Sequence, residues 1–358
     1  MKEFLAGQSP AELRAWAENH GFPAWRGTQI AEWLYRHHTP VPAEMKNLPA
    51  ELRKLLAESF YAPGTTILET VPAPDGVRKL KLGLFDGEVI EMALIPARER
   101  LTFCLSTQVG CPVGCRFCAS GACGFRRNLA AGEMIEELLL GIATAGRRCD
   151  NIVFMGIGEG LLNFHELATA LNLLTSENGF NFSPRRITVS TSGYLPGMEE
   201  FARLGREYTL AISLHAPDDA TRARLIPDKL RYPVADILTA ADRCREATGR
   251  QYTLEYTLVA GINDSPETAR RLGELARAHH AKVNLIPLNA AAGNFRRPSP
   301  ETIRDFEAAV AAAGARVTRR VERGGTRGAA CGQLRAESLR QSGSGAPADP
   351  CRGGRNKR

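Results

Sequence analysis

The sequence predicts an α/β fold: a partial (β/α)6-type barrel preceded by a small helical domain and a β-meander. Two observations carry this. From about residue 100 onward, strand-like runs alternate with helical ones through six units, and before that point a helical period over residues 10–60 gives way to short alternating runs over residues 65–96. Repeated β–α units imply parallel strands joined by right-handed crossovers.

The elements follow in order. Residues 11–18 and 27–37 carry apolar residues at helical spacing, with Trp16, Ile30, Trp33 and Leu34 on inward faces. Residues 67–71, 78–82 and 88–92 are short strand-like runs, with Asp75-Gly76 and Asp86-Gly87 as the turns between them. Barrel strands are expected at 101–106, 151–156, 186–191, 208–213, 252–259 and 282–287. Helices are expected at 132–144, 164–175, 235–247 and 265–278, and a helix at 301–313 with a strand at 315–322 would close the unit. Residues 336–358, rich in Ser, Gly, Pro and Arg, read as a disordered basic tail. The expected organisation is a helical accessory domain at 1–62, the meander at 63–99, a catalytic domain at 100–335 and the tail at 336–358.

With 358 residues, 44% hydrophobic and 24% charged, the chain has the composition of a globular protein with a sizeable core. No apolar run is long enough to span a bilayer, and the first residues lack the pattern of a signal peptide, so a cytoplasmic location is expected. The net charge of +7 suits a polyanionic partner as well as it suits mere solubility.

Nine cysteines could suggest disulfides, but five fall between Cys104 and Cys123, and three share the loop Cys111-Pro-Val-Gly-Cys115-Arg-Phe-Cys118. Such clustering favours a metal centre. Thiolates select zinc, copper or iron–sulfur clusters. A cubane cluster normally takes one cysteine per iron, so three local cysteines leave one iron open to a small chelating ligand. A structural zinc would need a fourth ligand, which Cys123, Cys104 or Cys331 could supply.

In barrel-like α/β folds the site forms at the C-terminal ends of the strands. There the sequence places Met155-Gly156-Ile157-Gly158-Glu159-Gly160, Ser190-Thr191-Ser192-Gly193, Ser213-Leu214-His215 and Pro287-Leu288-Asn289. Taken singly these are ordinary turns, caps and structural histidines. Together they fit a pocket for one polar cofactor, with Glu159 as acceptor for an ammonium group.

The cysteine loop after the first barrel strand resembles the radical S-adenosylmethionine (SAM) superfamily. A narrower resemblance rests on Cys104-Leu-Ser-Thr-Gln-Val-Gly-Cys111, Gly124-Phe-Arg-Arg-Asn128, Met155 to Asn163, Ser190 to Gly193, Ser213 to His215, Asn284-Leu-Ile-Pro287 and Ala330-Cys-Gly-Gln-Leu334, which occur in family order. These look like the RlmN/Cfr family of radical SAM RNA adenine methyltransferases, and the likeness covers the chain up to Leu334.

The resemblance implies a radical SAM barrel holding one [4Fe-4S] cluster on Cys111, Cys115 and Cys118, with SAM on the open iron. Gly158, Glu159, Ser190, Ser213, Leu214, His215 and Asn289 match the family's SAM contacts. It also implies a methyl group carried on Cys331, release of the methylated base through a transient disulfide with Cys104, and Glu91 as proton acceptor. From the residues alone, Glu91 lies in an alternating run and reads as solvent-facing, and Cys104 reads as a small buried strand residue. The remaining cysteines, Cys123, Cys149, Cys244 and Cys351, carry no implied role.

The implied partners are 23S ribosomal RNA, possible tRNA, and a reductant such as flavodoxin or ferredoxin, for a monomer with no membrane association. Arg126-Arg127, Arg147-Arg148, Arg185-Arg186, Arg296-Arg297, Arg319-Arg320, Arg323 and Arg327 recur near loops, where they could meet phosphates. Gly160 stands where the family more often has proline, and residues 289–294 lack the usual prolines. The reading favours methylation at adenine C2. Its competitors are methylation at C8, a radical SAM enzyme with a peptide or metabolite substrate, and a non-catalytic RNA-binding protein with a structural zinc.

Overall fold

The computed structural model describes residues 2–118, 124–288 and 295–320. The expected tail at 336–358, together with Asn289, Cys123, Cys331, Cys351, Arg323 and Arg327, lies outside the described residues.

The chain opens with strand β1 (Glu3–Phe4) and helices α1 (Pro10–Asn19), α2 (Ala24–Tyr35) and α3 (Ala50–Ser59). A reciprocal capping box starts α1: the Ser9 hydroxyl accepts from the Glu12 N–H, and the Glu12 carboxylate accepts from the Ser9 N–H. The three helices bury Leu13, Ile30, Leu34, Leu52 and Leu56 at the helical period. Strand β2 (Phe60–Tyr61) pairs in parallel with β1 and closes the segment.

A meander follows: β3 (Thr66–Pro72), β4 (Arg78–Gly83), β5 (Val89–Ala97) and β6 (Arg100–Cys104). A short hairpin, β7 (Gln108–Gly110) with β8 (Phe125–Asn128), brackets the cysteine loop. The α/β repeat then runs α4 (Ala131–Ala145), β9 (Asn151–Phe154), α5 (Phe164–Thr175), β10 (Ile187–Thr191), α6 (Leu195–Arg203), β11 (Thr209–Ser213), α7 (Asp219–Leu225), α8 (Val234–Thr248), β12 (Thr253–Leu258), α9 (Pro266–Ala278), β13 (Lys282–Pro287), α10 (Pro300–Ala312) and β14 (Arg316–Arg319). Every expected strand and helix has its counterpart. The structure adds β1, β2, α6, α7 and the β7–β8 hairpin.

Ten strands form one sheet in the order β14-β13-β12-β11-β10-β9-β6-β5-β4-β3. Strands β6 and β9 to β14 pair in parallel, and the meander joins them through the antiparallel β5–β6 pair. The meander is thus continuous with the barrel sheet.

The two faces of this sheet differ. One carries the apolar rows Leu82 opposite Ile90, Leu80 opposite Met92, Leu94 opposite Phe103 and Phe103 opposite Ile152, continuing through Val189, Leu210, Leu254 and Val283. All are buried, and each such side chain contributes roughly 1.5–3 kcal/mol. Helix α4 lies on this face: a Cβ on Gly141 would come within 2.7 Å of Phe103 and 2.8 Å of Met92. The other face carries polar and small groups. One row runs Lys79, Ala93, Cys104, Val153, Thr188, Thr209, and another runs Ser213, Glu255, Asn284. This second face is the inside of the partial barrel.

That geometry corrects the reading of Glu91 as solvent-facing. Glu91 is 3% exposed and paired with Lys79 at 2.8 Å. Strand alternation put it opposite the apolar face as expected, but here the opposite face is the barrel interior rather than water.

Candidate active site

The cysteine loop leaves β7 at Gly110, whose φ of +79° is left-handed. A Cβ there would stand 1.8 Å from the Gly124 carbonyl oxygen, so only glycine allows this turn. The loop is pinned at three points: the Cys111 N–H donates to Gly124 O, the Cys118 N–H to Cys115 O, and the Arg116 N–H to Leu225 O at the end of α7. Beneath it, Val113, Leu225, Ile226, Val259 and Leu288 form a small apolar cluster against which Cys111, Cys115 and Phe117 pack.

The three thiols are the ligand type that a soft metal centre takes. Burial pushes the Cys111 thiol up to about 12 and the Cys115 thiol well above its ordinary value, and neighbouring thiols and Glu159 push both further. Without a metal these thiols stay protonated; as ligands they must be thiolates, which a metal centre makes favourable. Among the described residues, no three Cys, His, Asp or Glu side chains converge on the position of a single ion.

Next to the loop lie the strand-end residues. Gly158 has φ +120°, and a Cβ on it would meet Thr107 Oγ1 at 2.6 Å and the Gln108 backbone at 2.9 Å. Glu159 is 3% exposed. Its carboxylate accepts from the Ser192 N–H at 2.6 Å and the Leu161 N–H at 3.3 Å, while its own N–H donates to Gln108 Oε1 at 2.8 Å. Burial holds its pKa above the usual carboxylate value. Ser190 is the last residue but one of β10 and Ser213 ends β11, both partly exposed on the inner face, and Leu214 is buried.

His215 sits at a left-handed φ of +61°, edge-on to Phe117 with ring centroids 4.8 Å apart. Its Nδ1 accepts from the Thr257 N–H at 3.0 Å. Burial pulls its pKa down to about 3, with the Arg222 charge acting in the same direction. The ring is therefore neutral with its proton on Nε2. Asn263, fully buried, ties the His215 and Thr257 carbonyls and accepts from Val259 N–H.

Cys104 ends β6 directly opposite Ala93, and Glu91 lies two residues from Ala93 on the same face. The structure thus brings Cys104 and Glu91 to neighbouring positions, with Lys79 in the same row as Cys104. Cys149 and Cys244, which carried no implied role, are buried in the main hydrophobic cluster. Several of the arginines expected near loops have protein partners, Arg186 among them through Asn151 Oδ1 at 3.5 Å. Arg127 bonds Asp86 and Glu133, Arg147 bonds Asp150, and Arg185 bonds Glu207. Arg148 donates to Phe180 O and lies over the Phe182 ring, and Arg319 pairs with Glu307.

Sequence reasoning missed Lys79, Gln108, Arg222 and Asn263. Lys79 sits in Arg78-Lys79-Leu80-Lys81-Leu82, where alternation alone assigns every lysine to water. No local pattern marks the other three.

A three-thiol loop beside strand ends that cradle a buried carboxylate, on a partial α/β barrel, defines an enzyme of the radical SAM class. The family model described as "Radical SAM superfamily" matches residues 105–272. The chain belongs to the RlmN family of radical SAM RNA methyltransferases. The model "Ribosomal RNA large subunit methyltransferase N-terminal domain" matches residues 5–61. A protein of Akkermansia muciniphila named "Probable dual-specificity RNA methyltransferase RlmN" is 41% identical over 340 residues, covering 92% of this chain and 95% of its own. Its namesake in Gloeobacter violaceus is 42% identical, covering 94% and 96%. The crystal structure of a radical SAM methyltransferase from Sphaerobacter thermophilus superposes with a TM-score of 0.88 at 42% identity, covering 93% of this chain and 99% of that one. Membership implies a [4Fe-4S] cluster and SAM. No helix among the described residues is long and apolar enough to cross a membrane.

Proposed function

We propose that this enzyme methylates C2 of an adenosine in 23S ribosomal RNA, and in tRNA, using two SAM molecules. The observation that carries this is the placement of Cys104 and Glu91 at neighbouring positions on the inner face of the sheet. A radical SAM enzyme that only abstracts hydrogen needs no second thiol and no buried carboxylate beside it. The relatives' names, which specify RNA methylation with dual specificity, support the substrate class.

The cluster that Cys111, Cys115 and Cys118 would hold, together with SAM, would supply a carbon radical able to take a hydrogen from a methyl group and would take back the one electron that the base adduct gives up as it loses its proton. Gly158, Glu159, Ser190, Ser213, Leu214, His215 and Asn289 form the SAM pocket: Gly158 lets the backbone approach, and His215 presents an Nε2–H donor. Cys331 carries the methyl group as a thioether and delivers it to the adenine carbon. Glu91 accepts the proton displaced from that carbon. Cys104 then attacks the Cys331 sulfur: an S–S bond forms, the C–S bond breaks, and the methylene carbon keeps the electron pair and takes up a proton. The segment at 1–62 and the basic loops hold the RNA, whose target base leaves its stack to reach the site.

Mass spectrometry of RNA from cells with and without the gene tests this reading. The expected result is 2-methyladenosine that disappears with the gene. Its replacement by 8-methyladenosine would establish the C8 alternative, and no change in either would overturn both. In vitro, Cys331→Ala is expected to abolish methyl transfer while 5′-deoxyadenosine still forms.

A further inference from the structure

Helix α7 carries a fully buried arginine that the mechanism above does not use. Arg222 is 0% exposed. Its Nε donates to Leu214 O at 3.2 Å, its Nη1 to Tyr232 O at 3.1 Å, and its Nη2 to Ser192 O. The guanidinium thus ties together the loops that follow β10 and β11 and the turn before α8. All three acceptors are neutral carbonyls, and among the described residues no carboxylate forms an ion pair with it. Burial lowers its pKa only to about 10, so it remains a cation at neutral pH. A buried cation without an anionic partner is costly, by several kcal/mol in general. Each of its three nitrogens donates to one carbonyl, which does not cancel its charge.

The geometry shows where that charge is directed. Arg222 holds the Leu214 carbonyl, and the next residue, His215, lies edge-on to Phe117 of the cysteine loop with ring centroids 4.8 Å apart. Arg222 stands one helical turn before Leu225, whose carbonyl accepts from the Arg116 N–H inside the cysteine loop, and Leu225 and Ile226 pack under that loop. Its charge is therefore held beside the loop by the frame that shapes the SAM pocket, while all three of its bonds go to backbone.

We propose that Arg222 is the buried counter-cation of the iron–sulfur cluster: a positioning residue whose fixed charge offsets the ligating thiolates and raises the cluster's reduction potential. A cluster on three thiolates is negative overall, and reduction adds another negative charge. A fixed cation nearby favours the reduced state that SAM cleavage requires, since net charge and surroundings set such potentials. The inference rests on the cluster reading of Cys111, Cys115 and Cys118.

The test uses the full-length protein reconstituted anaerobically with iron and sulfide, with Arg222→Gln and Arg222→Lys compared to the parent. Glutamine keeps a donor but removes the charge; lysine keeps the charge but loses the fork. Iron content and the midpoint potential from EPR-monitored titration are read without turnover. The expected result is a potential shifted clearly to more negative values in Arg222→Gln and close to the parent in Arg222→Lys. If glutamine prevents cluster assembly while lysine permits it, the charge assignment also stands. An unchanged potential in a fully loaded Arg222→Gln protein overturns the proposal. Equal shifts, or equal loss of iron, in both variants overturn it too, because hydrogen bonding rather than charge would then be at stake. Failure of the parent itself to assemble a cluster would instead refute the underlying cluster reading.

Discussion

Among the described residues two cations are buried, Lys79 and Arg222, and they are balanced differently. Lys79, on the antiparallel half of the sheet, meets the Glu91 carboxylate at 2.8 Å, with both side chains under 5% exposed. Arg222, beside the parallel half, bonds only carbonyl oxygens among the described residues. The first charge is cancelled within the fold and the second is left for something that binds. The fold can enclose Lys79 because its counter-charge lies across one strand pair, whereas Arg222 is enclosed by hydrogen bonding alone. The comparison can be broken or sharpened by removing one element at a time.

The largest effect is expected where a pair is split. Lys79→Met leaves the Glu91 carboxylate inside the barrel without that cation, and should cost about 3–5 kcal/mol in urea unfolding. The double variant Lys79→Met/Glu91→Leu should recover most of the loss, because two apolar groups leave no stranded charge. A single variant no more damaging than a surface substitution would show that the pair is not buried as described.

Asn263 offers the neutral counterpart of Arg222. It too joins backbone carbonyls beside the strand ends, at 2.7 and 2.8 Å, but carries no charge. Asn263→Ala should cost about 2–3 kcal/mol from the buried groups left unpaired. In cluster-free protein, Arg222→Met should cost a similar amount. A much smaller loss at Arg222 would mean that its buried charge offsets the benefit of its bonds even before any cluster is present.

Glu136 on α4 is the anionic mirror of Arg222: a buried carboxylate that accepts from the Gly64 N–H at 3.0 and 3.1 Å, with no ion pair among the described residues. Burial pushes its pKa from the usual 4.5 up to about 7. The folded protein therefore holds a proton that the unfolded chain has already released between those values. Its stability is greatest below about pH 4.5 and falls as pH rises through about 7. The loss amounts to about 3 kcal/mol at most. Glu136→Gln should remove this contribution, so unfolding midpoints near pH 5 and near pH 8 should draw closer together, while Glu137, Glu159 and Glu255, raised by burial in the same direction, keep the remainder of the slope. An unchanged slope would assign the pH dependence to other groups.

Much of this architecture was legible in the sequence because alternating and helical periods report a helix-covered face directly. The strands at Ile187–Thr191 and Lys282–Pro287 and the helix at Phe164–Thr175 follow from their apolar spacing. The cysteine loop was legible because its ligand spacing is local. The inner face was not. Alternation separates Glu91 and Lys79 from the core but does not say whether the other side is water or a barrel interior, and that depends on a sheet of ten strands curling around them. Arg222 and Asn263 were illegible for a related reason: their partners are carbonyls from other segments, up to 30 residues from Arg222 and 48 from Asn263, and backbone carbonyls leave no mark in a sequence.

The smallest effect should come from the exposed version of the Lys79–Glu91 chemistry. Arg185 and Glu207 form a two-pronged pair, with distances of 2.9 and 2.6 Å, yet their side chains are 61% and 47% exposed. Water already solvates both ions in the unfolded chain, and salt screens what attraction remains. Glu207→Gln should therefore leave the melting temperature unchanged within error, whereas splitting the buried pair should lower it by many degrees. A clear loss at Glu207 would mean that contact geometry rather than burial governs the worth of an ion pair here. The contrast between Lys79 and Arg222 would then need a different explanation, since it rests on the cost of removing charge from water.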